Sequence, residues 1–287
     1  MNLLSLFRWL GTWSLPALQR AGSVAGLITY FSSGPYRRRL RENMARALGR
    51  TPTRAEAWAA ARETGKQIFE MPFLWQRPLD DIKPLVVEFV GQDRLKAHLD
   101  AGRPVLAVTP HMGCFEITSM YVGLTTPLTI MYRPPKQREL EPILRAGRER
   151  ANTRLVAADL SGVRSLIKAL RGGGMVGILP DQVPGVGEGM WSPFFGRLAY
   201  TMTLAARLTE VRDTQVVLFW GERLPAGRGW RIHAIEPAEP IAGTLEERVH
   251  AINREIERVI MLNPSQYLWG YNRYKVPAGA PRPESVQ

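Results

Sequence analysis

From about residue 85 onward the chain alternates short apolar runs with longer stretches in which apolar residues recur every third or fourth position. The first pattern is that of a strand buried on both faces, and the second that of a helix with one buried stripe. The segment LVVEFVG and a helix near Asp93 to Ala101 open the series. Strands are predicted at 104–109, 128–132, 154–157 and 175–179, and helices at 115–123, 138–151, 161–171 and 200–209. Two further strands, 214–222 and 229–235, joined through LPAGRG, read as a hairpin at one side of the sheet, and a long helix covers 244–262. This alternation builds βαβ units. The predicted fold class is therefore α/β, a largely parallel central sheet with helices on both faces.

The first fifty residues are patterned differently. Leu3, Leu4, Leu6, Phe7, Trp9, Leu10 and Trp13 crowd together, interrupted by Arg8 and followed by Arg20 and a basic run from Arg37 to Arg41. The longest uncharged stretch, Ala21 to Tyr36, is shorter than the roughly 20 apolar residues of a spanning helix and contains several Gly and Ser. Pro16 and the scattered arginines do not suit a removed signal peptide. Two arrangements fit: a pair of interfacial helices with arginines at anionic headgroups, or a helical hairpin packed on the core. The aromatic density and flanking arginines favour the interface. The expected organisation is membrane-associating helices over 1–50, a catalytic domain over 51–276 that begins with a helix from Arg54 to Trp75, and a Pro-rich, polar, disordered tail over 277–287.

A chain of 287 residues is long enough for one large α/β domain with a substantial core. Its formal charge of +12 comes almost wholly from arginine, which suits phosphate and carboxylate recognition, although GC-rich coding explains many of these residues equally well. A charge of this sign favours anionic partners such as a membrane surface. Nucleic acid is not expected, because the aromatics are not interleaved with a basic stripe. The single cysteine, Cys114, excludes an intrachain disulfide. The other histidines, His98, His233 and His250, lie in unrelated segments, and zinc needs at least three protein ligands, so no metal is expected. Gly172 to Gly174 and the VPGVGEG stretch at 183–189 match neither phosphate-loop nor dinucleotide spacing, so no nucleotide cofactor is expected either.

The chemistry concentrates in Val105 to Glu116, VLAVTPHMGCFE. An apolar strand feeds into His111, and Glu116 follows at the first turn of the next helix, on the carboxyl edge where open α/β sheets bind ligands. A neutral imidazole can take a proton from a hydroxyl, and a carboxylate on its other nitrogen fixes the tautomer and stabilises the imidazolium. On this reading His111 is a general base and Glu116 its orienting partner. Cys114, three residues after His111, raises a Cys–His nucleophilic pair. Its place in an apolar helix start favours a packing role. The 128–132 strand delivers Tyr132, Arg133 and two prolines to the same edge, and the 175–179 strand delivers Asp181 and Gln182, which is how a site on a parallel sheet is assembled from separate loops. Backbone N–H groups near Gly113 are candidate oxyanion donors. Met190, Trp191, Phe194 and Phe195 are candidates for an apolar groove, or for core.

Taken with HMGCFE, the phrases MYRPPKQRELEPILRAGRER, LSGVRSLIKALRGGGMVGILPDQ, SPFFGR and NPSQYLWGYNRYK make the chain resemble the bacterial lipid A late acyltransferases, the lauroyl/myristoyl transferase family. The resemblance runs from RRRLRENMARAL to Tyr274. It implies a fold like that of the glycerolipid acyltransferases and an enzyme on the cytoplasmic face of the inner membrane. That enzyme would move a fatty acyl chain from acyl carrier protein to a hydroxyl of a lipid A precursor. It implies a catalytic pair at His111 and Glu116 and substrate-binding roles for Arg133, Arg148, Arg164, Asp181 and Gln182. The sequence RERANT departs from the family's glycine near the second basic position, which leaves Arg145, Arg148 and Arg150 as alternatives. Other acceptors compatible with the same dyad are ornithine lipid, a mannosylated phosphoinositide and glycerol phosphate.

Overall fold

The computed structural model describes residues 2–135 and 137–280. Residues 281–287, most of the tail expected to be disordered, lie outside them. The chain opens with α1 (Leu3–Gly11), α2 (Leu15–Ser32), α3 (Gly34–Leu48) and α4 (Arg54–Gln76), and a short α5 (Leu79–Ile82) leads into β1 (Val86–Val90). There follow α6 (Gln92–Asp100), β2 (Val105–Val108), α7 (Phe115–Val122), β3 (Leu128–Tyr132), α8 (Glu141–Arg148), β4 (Thr153–Ala157), α9 (Leu160–Arg171) and β5 (Met175–Ile178). The last part comprises β6 (Gly189–Phe194), β7 (Arg197–Met202), α10 (Leu204–Leu208), β8 (Gln215–Arg223), β9 (Trp230–Ile235) and α11 (Leu245–Leu262).

Seven strands form one sheet in the order β1-β9-β8-β2-β5-β3-β4. Its neighbours pair in parallel except β8 and β9, which are antiparallel. The α/β class read from the sequence is the class observed, and the hairpin lies next to the edge strand β1. β2 and β5 are buried along their whole length, which is why they carry continuous apolar runs rather than alternation. Even-numbered residues of the central strands, such as Leu106, Val176 and Leu218, pack with α9, α10 and α11, together with parts of α3 and α4. The odd-numbered set, such as Ala107, Met175 and Phe219, packs against α7 and the end of α4.

Residues 200–209 are not one helix. The stretch is the end of β7 followed by the short α10, and β6 and β7 form a separate hairpin that the helical pattern did not suggest. Pro193 lies inside β6, a residue that sheets confine to edge strands and bulges. The tight turn that makes the hairpin places Phe195 at φ +46° and Gly196 at φ +70°, the positive pair that a two-residue hairpin loop uses. The Phe195 N–H donates to Glu257 Oε1 at 2.8 Å, which anchors the turn on α11.

The N-terminal helices pack on the domain and also keep an exposed apolar face. Helix α2 crosses α4 at backbone contact: a Cβ on Gly65 would lie 1.9 Å from the Gly22 carbonyl oxygen. A buried polar network fastens the crossing to the sheet. Gln19 donates to Glu70 Oε1 at 2.7 Å, and Arg223 of β8 donates to both Glu70 oxygens at 2.7 Å and to Glu63 at 2.6 Å. Phe7 and Leu10 of α1, and Trp13 just after it, turn toward the core, whereas Leu3 and Trp9 are exposed. The apolar set of the first thirteen residues is thus divided between core and surface. Helical spacing instead puts Val24, Ile28 and Phe31 of α2 on the outer surface, and Ile68 of α4 is exposed as well. No described helix is long and apolar enough to cross a membrane.

Candidate active site

Strand order decides what meets at the carboxyl edge. Because β5 lies between β2 and β3, the loops after those three strands bring His111, Asp181 and Arg133 to adjacent positions. The chain leaves β2 through Thr109 and Pro110, and the segment from Met112 to Cys114 is held by backbone bonds. Gly113 N–H donates to Gln266 O at 2.9 Å, and Cys114 N–H donates to Gly221 O at 2.7 Å. Gly113 has φ +57°, and a Cβ there would sit 2.1 Å from the Gly221 carbonyl oxygen, so only glycine fits. The Gly113 N–H itself is committed to Gln266, which leaves the other N–H groups at the start of α7 as the oxyanion candidates.

The carboxylate that meets His111 is Asp181. Nδ1 of the ring lies 2.6 Å from Asp181 Oδ1, and the His111 backbone N–H donates to Oδ2 at 2.9 Å. A carboxylate can only accept, so the shared ring proton sits on Nδ1 and Nε2 is the basic nitrogen. The Asp181 side chain is 2% exposed and that of His111 18%. Burial alone would raise the Asp181 carboxyl. The facing imidazole, its two hydrogen bonds and the nearby Arg273 guanidinium more than offset this, so it titrates below its ordinary value. Burial, together with the negative charge of nearby Asp181, drives the Tyr267 pKa far up, so the phenol stays neutral. Arg273 is fixed by bonds to Tyr200 O at 2.7 Å and Thr201 Oγ1 at 2.6 Å.

Glu116 has a different partner. Arg148 grips it with two bonds, Nε to Oε2 at 2.9 Å and Nη2 to Oε1, while the guanidinium lies 5.4 Å from the Trp75 ring centroid. The expected orienting role of Glu116 is therefore corrected: that position belongs to Asp181, because the α8 arginine engages both Glu116 oxygens. His111, Glu116, Arg133, Arg148 and Gln182 nonetheless line one cavity of about 320 Å³. Arg133 stands at it with an exposed side chain, 3.7 Å from Glu188. Among the three alternative arginines, Arg148 reaches the cavity. Arg145 bonds the Tyr132 hydroxyl and Glu149, and Arg150 donates to carbonyls at the end of α4. Arg164 is exposed on α9 and is not among the lining residues, and Asp181 acts behind His111 rather than on the cavity wall.

The cavity lies on the odd-numbered face of the sheet, between the strands and α7, with Ala107, Gly177, Ile130 and Met175 on its sheet side and Val122 on its helix side. Of the expected groove residues, Met190, Trp191, Phe194 and Phe195 do not line it; Phe194 fills core and Phe195 makes the hairpin turn. Cys114 is buried, and burial holds its thiol far above its usual pKa, so it is not a thiolate nucleophile. Among the described residues no group of His, Cys, Asp and Glu is arranged to hold a metal ion. Sequence reasoning did not single out Tyr267, Arg273 or Arg223. The first two lie in the NPSQYLWGYNRYK phrase, whose density of polar aromatics was the available signal. Arg223 closes the back of the site, donating to Gly113 O at 3.1 Å.

The chain is similar in sequence to several known proteins. The chain is 27% identical over 201 residues to the lipid A biosynthesis lauroyltransferase of Escherichia coli K12, a match covering 69% of this chain and 63% of that protein. It is 26% identical over 218 residues to the lipid A biosynthesis palmitoleoyltransferase of the same organism, covering 75% and 69%. A lipid A biosynthesis acyltransferase of Haemophilus influenzae is 24% identical over 183 residues, covering 63% and 57%. The sequence profile of bacterial lipid A biosynthesis acyltransferases matches residues 4–276, so the chain belongs to that family.

Proposed function

We propose that the protein transfers a fatty acyl chain from an acyl carrier protein thioester to a hydroxyl of a lipid A precursor at the cytoplasmic face of the inner membrane. The observation that carries this reading is the His111–Asp181 contact at the mouth of a largely apolar cavity. His111 Nε2 takes the proton of the acceptor hydroxyl as that oxygen attacks the thioester carbonyl. The C–O bond forms, the C–S bond breaks, and the proton passes on to the leaving thiolate. No acyl-enzyme is needed, because the thioester is already activated. Asp181 fixes the tautomer and balances the imidazolium. The partial positive charge at the amino end of α7, just beyond Cys114, supports the developing oxyanion.

Glu116 and Arg148 act as a unit on the cavity wall. With Arg148 paired, the cation exposed at the mouth is Arg133, which suits a phosphate of donor or acceptor through charge-assisted bonds, with Gln182 as a neutral partner. The exposed apolar face of Val24, Ile28, Phe31 and Ile68, with the exposed Arg8, Arg20, Arg37 and Arg38 on the same helical layer, suits an anionic lipid surface. An acceptor panel tests the reading: lipid A precursor, ornithine lipid, mannosylated phosphoinositide and glycerol phosphate, each offered with acyl carrier protein thioesters. A mass increase of one acyl chain on the lipid A precursor alone supports it. Acylation of another acceptor in its place overturns it.

A further inference from the structure

The cavity is a slot whose depth is set by strand register, and its layers assign a length to the chain that fills it. Strands β2, β3 and β5 run in parallel, so residues in register lie at one depth. Ala107, Gly177 and Ile130 form one such layer. Two residues deeper, Met175 and Leu128 form the next, with Val122 at the far end of α7 also on the wall. Above the middle layer stand Thr109 and Leu179, just below His111. The middle of the slot exists because its two innermost strands carry the smallest side chains available, alanine on β2 and glycine on β5. A Cβ on Gly177 would lie 3.3 Å from Ile130 Cγ1, a tight contact, and 3.7 Å from Leu128 Cδ1, with only these flexible side-chain ends near it, so the missing side chain widens the slot at this depth.

From Leu179 to Met175 is four strand residues, a depth of about 13 Å. An extended chain advances roughly 1.2 Å per bond, as a fully stretched backbone does with three bonds per residue, so about eleven bonds fit. The volume agrees: about 320 Å³ holds about eleven groups, if each takes roughly the 30 Å³ of a liquid water.

We infer that Gly177 and Met175 are the specificity-determining residues for acyl length, Gly177 keeping the slot open at mid-depth and Met175 closing its floor, so that the preferred saturated chain has ten to twelve carbons. This rests on the acyl-transfer reading of the same site, and the test separates the two. Saturated fatty acids of eight, ten, twelve, fourteen and sixteen carbons are titrated calorimetrically into the full chain, without donor or acceptor. Each buried methylene contributes about 0.8 kcal/mol, roughly fourfold in affinity, so binding tightens up to ten or twelve carbons and then stops tightening. Gly177→Val fills the middle layer and weakens dodecanoate by roughly a hundredfold, far more than octanoate. Met175→Ala opens the floor and tightens hexadecanoate by roughly tenfold relative to dodecanoate. Should Gly177→Val not fold, Gly177→Ala gives the same sign with a smaller step. Affinity that keeps rising to sixteen carbons in the wild type, or an optimum that stays put in the Met175→Ala and glycine variants, overturns the inference. The same donor lengths in a transfer assay then judge the reaction separately: an optimum in binding with no transfer from any donor leaves the slot assignment standing and removes the acyltransferase reading.

Discussion

Replacing Asp181 by Asn separates the two carboxylates that compete for the role of orienting His111. The amide keeps the size of the side chain and can still accept from the His111 backbone N–H, but it loses the charge facing Nδ1 across 2.6 Å. A hydrogen bond to a charged group contributes about 1.5–3 kcal/mol, so its loss alone slows turnover by roughly ten- to a hundredfold. The amide can also turn its NH₂ toward Nδ1, which puts the ring proton on Nε2 and removes the base, and the comparable exchange in a hydrolase triad costs about 10⁴-fold. The expected fall in kcat is therefore about 10²- to 10⁴-fold, with donor KM little changed. Initial rates with an acyl carrier protein thioester and lipid A precursor measure it. Glu116→Gln acts elsewhere: it leaves the Arg148 guanidinium, 19% exposed, without its counter-charge and is expected to weaken binding and stability more than the chemical step. The reasoning is refuted if Asp181→Asn keeps kcat within about threefold while a folded Glu116→Gln loses 10³-fold. Stability gives an independent check. The folded-state pKa of Asp181 is depressed, so its contribution is fully present above the ordinary carboxylate value of about 3.9 and is lost as pH falls through the folded value. The stability gap between wild type and Asp181→Asn should be widest above pH 4 and should close at lower pH.

Arg223→Met leaves Glu70 buried without its cation, while Glu63 keeps Lys66, and is expected to cost about 3–5 kcal/mol in urea unfolding; a loss below about 1 kcal/mol would contradict the network. Cys114→Ala is expected to keep turnover within about threefold, since a buried, protonated thiol packs rather than attacks; a loss matching that of a His111 variant would revive a thiol mechanism. Ile28→Asp combined with Phe31→Asp removes two exposed apolar side chains, each contributing about 1.5–3 kcal/mol when buried, and sedimentation with anionic vesicles should show partitioning weaker by well over tenfold. Unchanged partitioning would place the lipid contact elsewhere.

The parts of the fold governed by local pattern were legible in the chain. The runs of β2 and β5 announce strands buried on both faces, and the convergence of His111, Arg133 and Asp181 on one edge follows from strand–helix alternation. The pairing of His111 with Asp181 was not legible, because it depends on β5 lying beside β2 and spans seventy positions, whereas Glu116 lies five residues away. Arg148 shows the same limit from the other side: the family resemblance implied a substrate-binding cation, and the packing of α8 on α4 aims it at Glu116 over Trp75. Arg164 lies outside the cavity because helical phase turns it outward while Leu166 and Leu170 of the same helix face the core. The β6–β7 hairpin was hidden by Pro193 and by a turn that places Phe195 in a backbone region where aromatic residues are rare. The apolar lining of the cavity was misplaced because a slot made by Ala107 and Gly177 is written in small residues, while the eye is drawn to aromatics.

The most direct test is single-turnover acyl transfer by the full chain and by His111→Ala, with an acyl carrier protein thioester and a tetra-acylated lipid A precursor, products read by mass. The wild type should convert the precursor to a species heavier by one acyl chain, and the folded variant should yield none above the uncatalysed background. Transfer by His111→Ala at the wild-type rate would contradict the account.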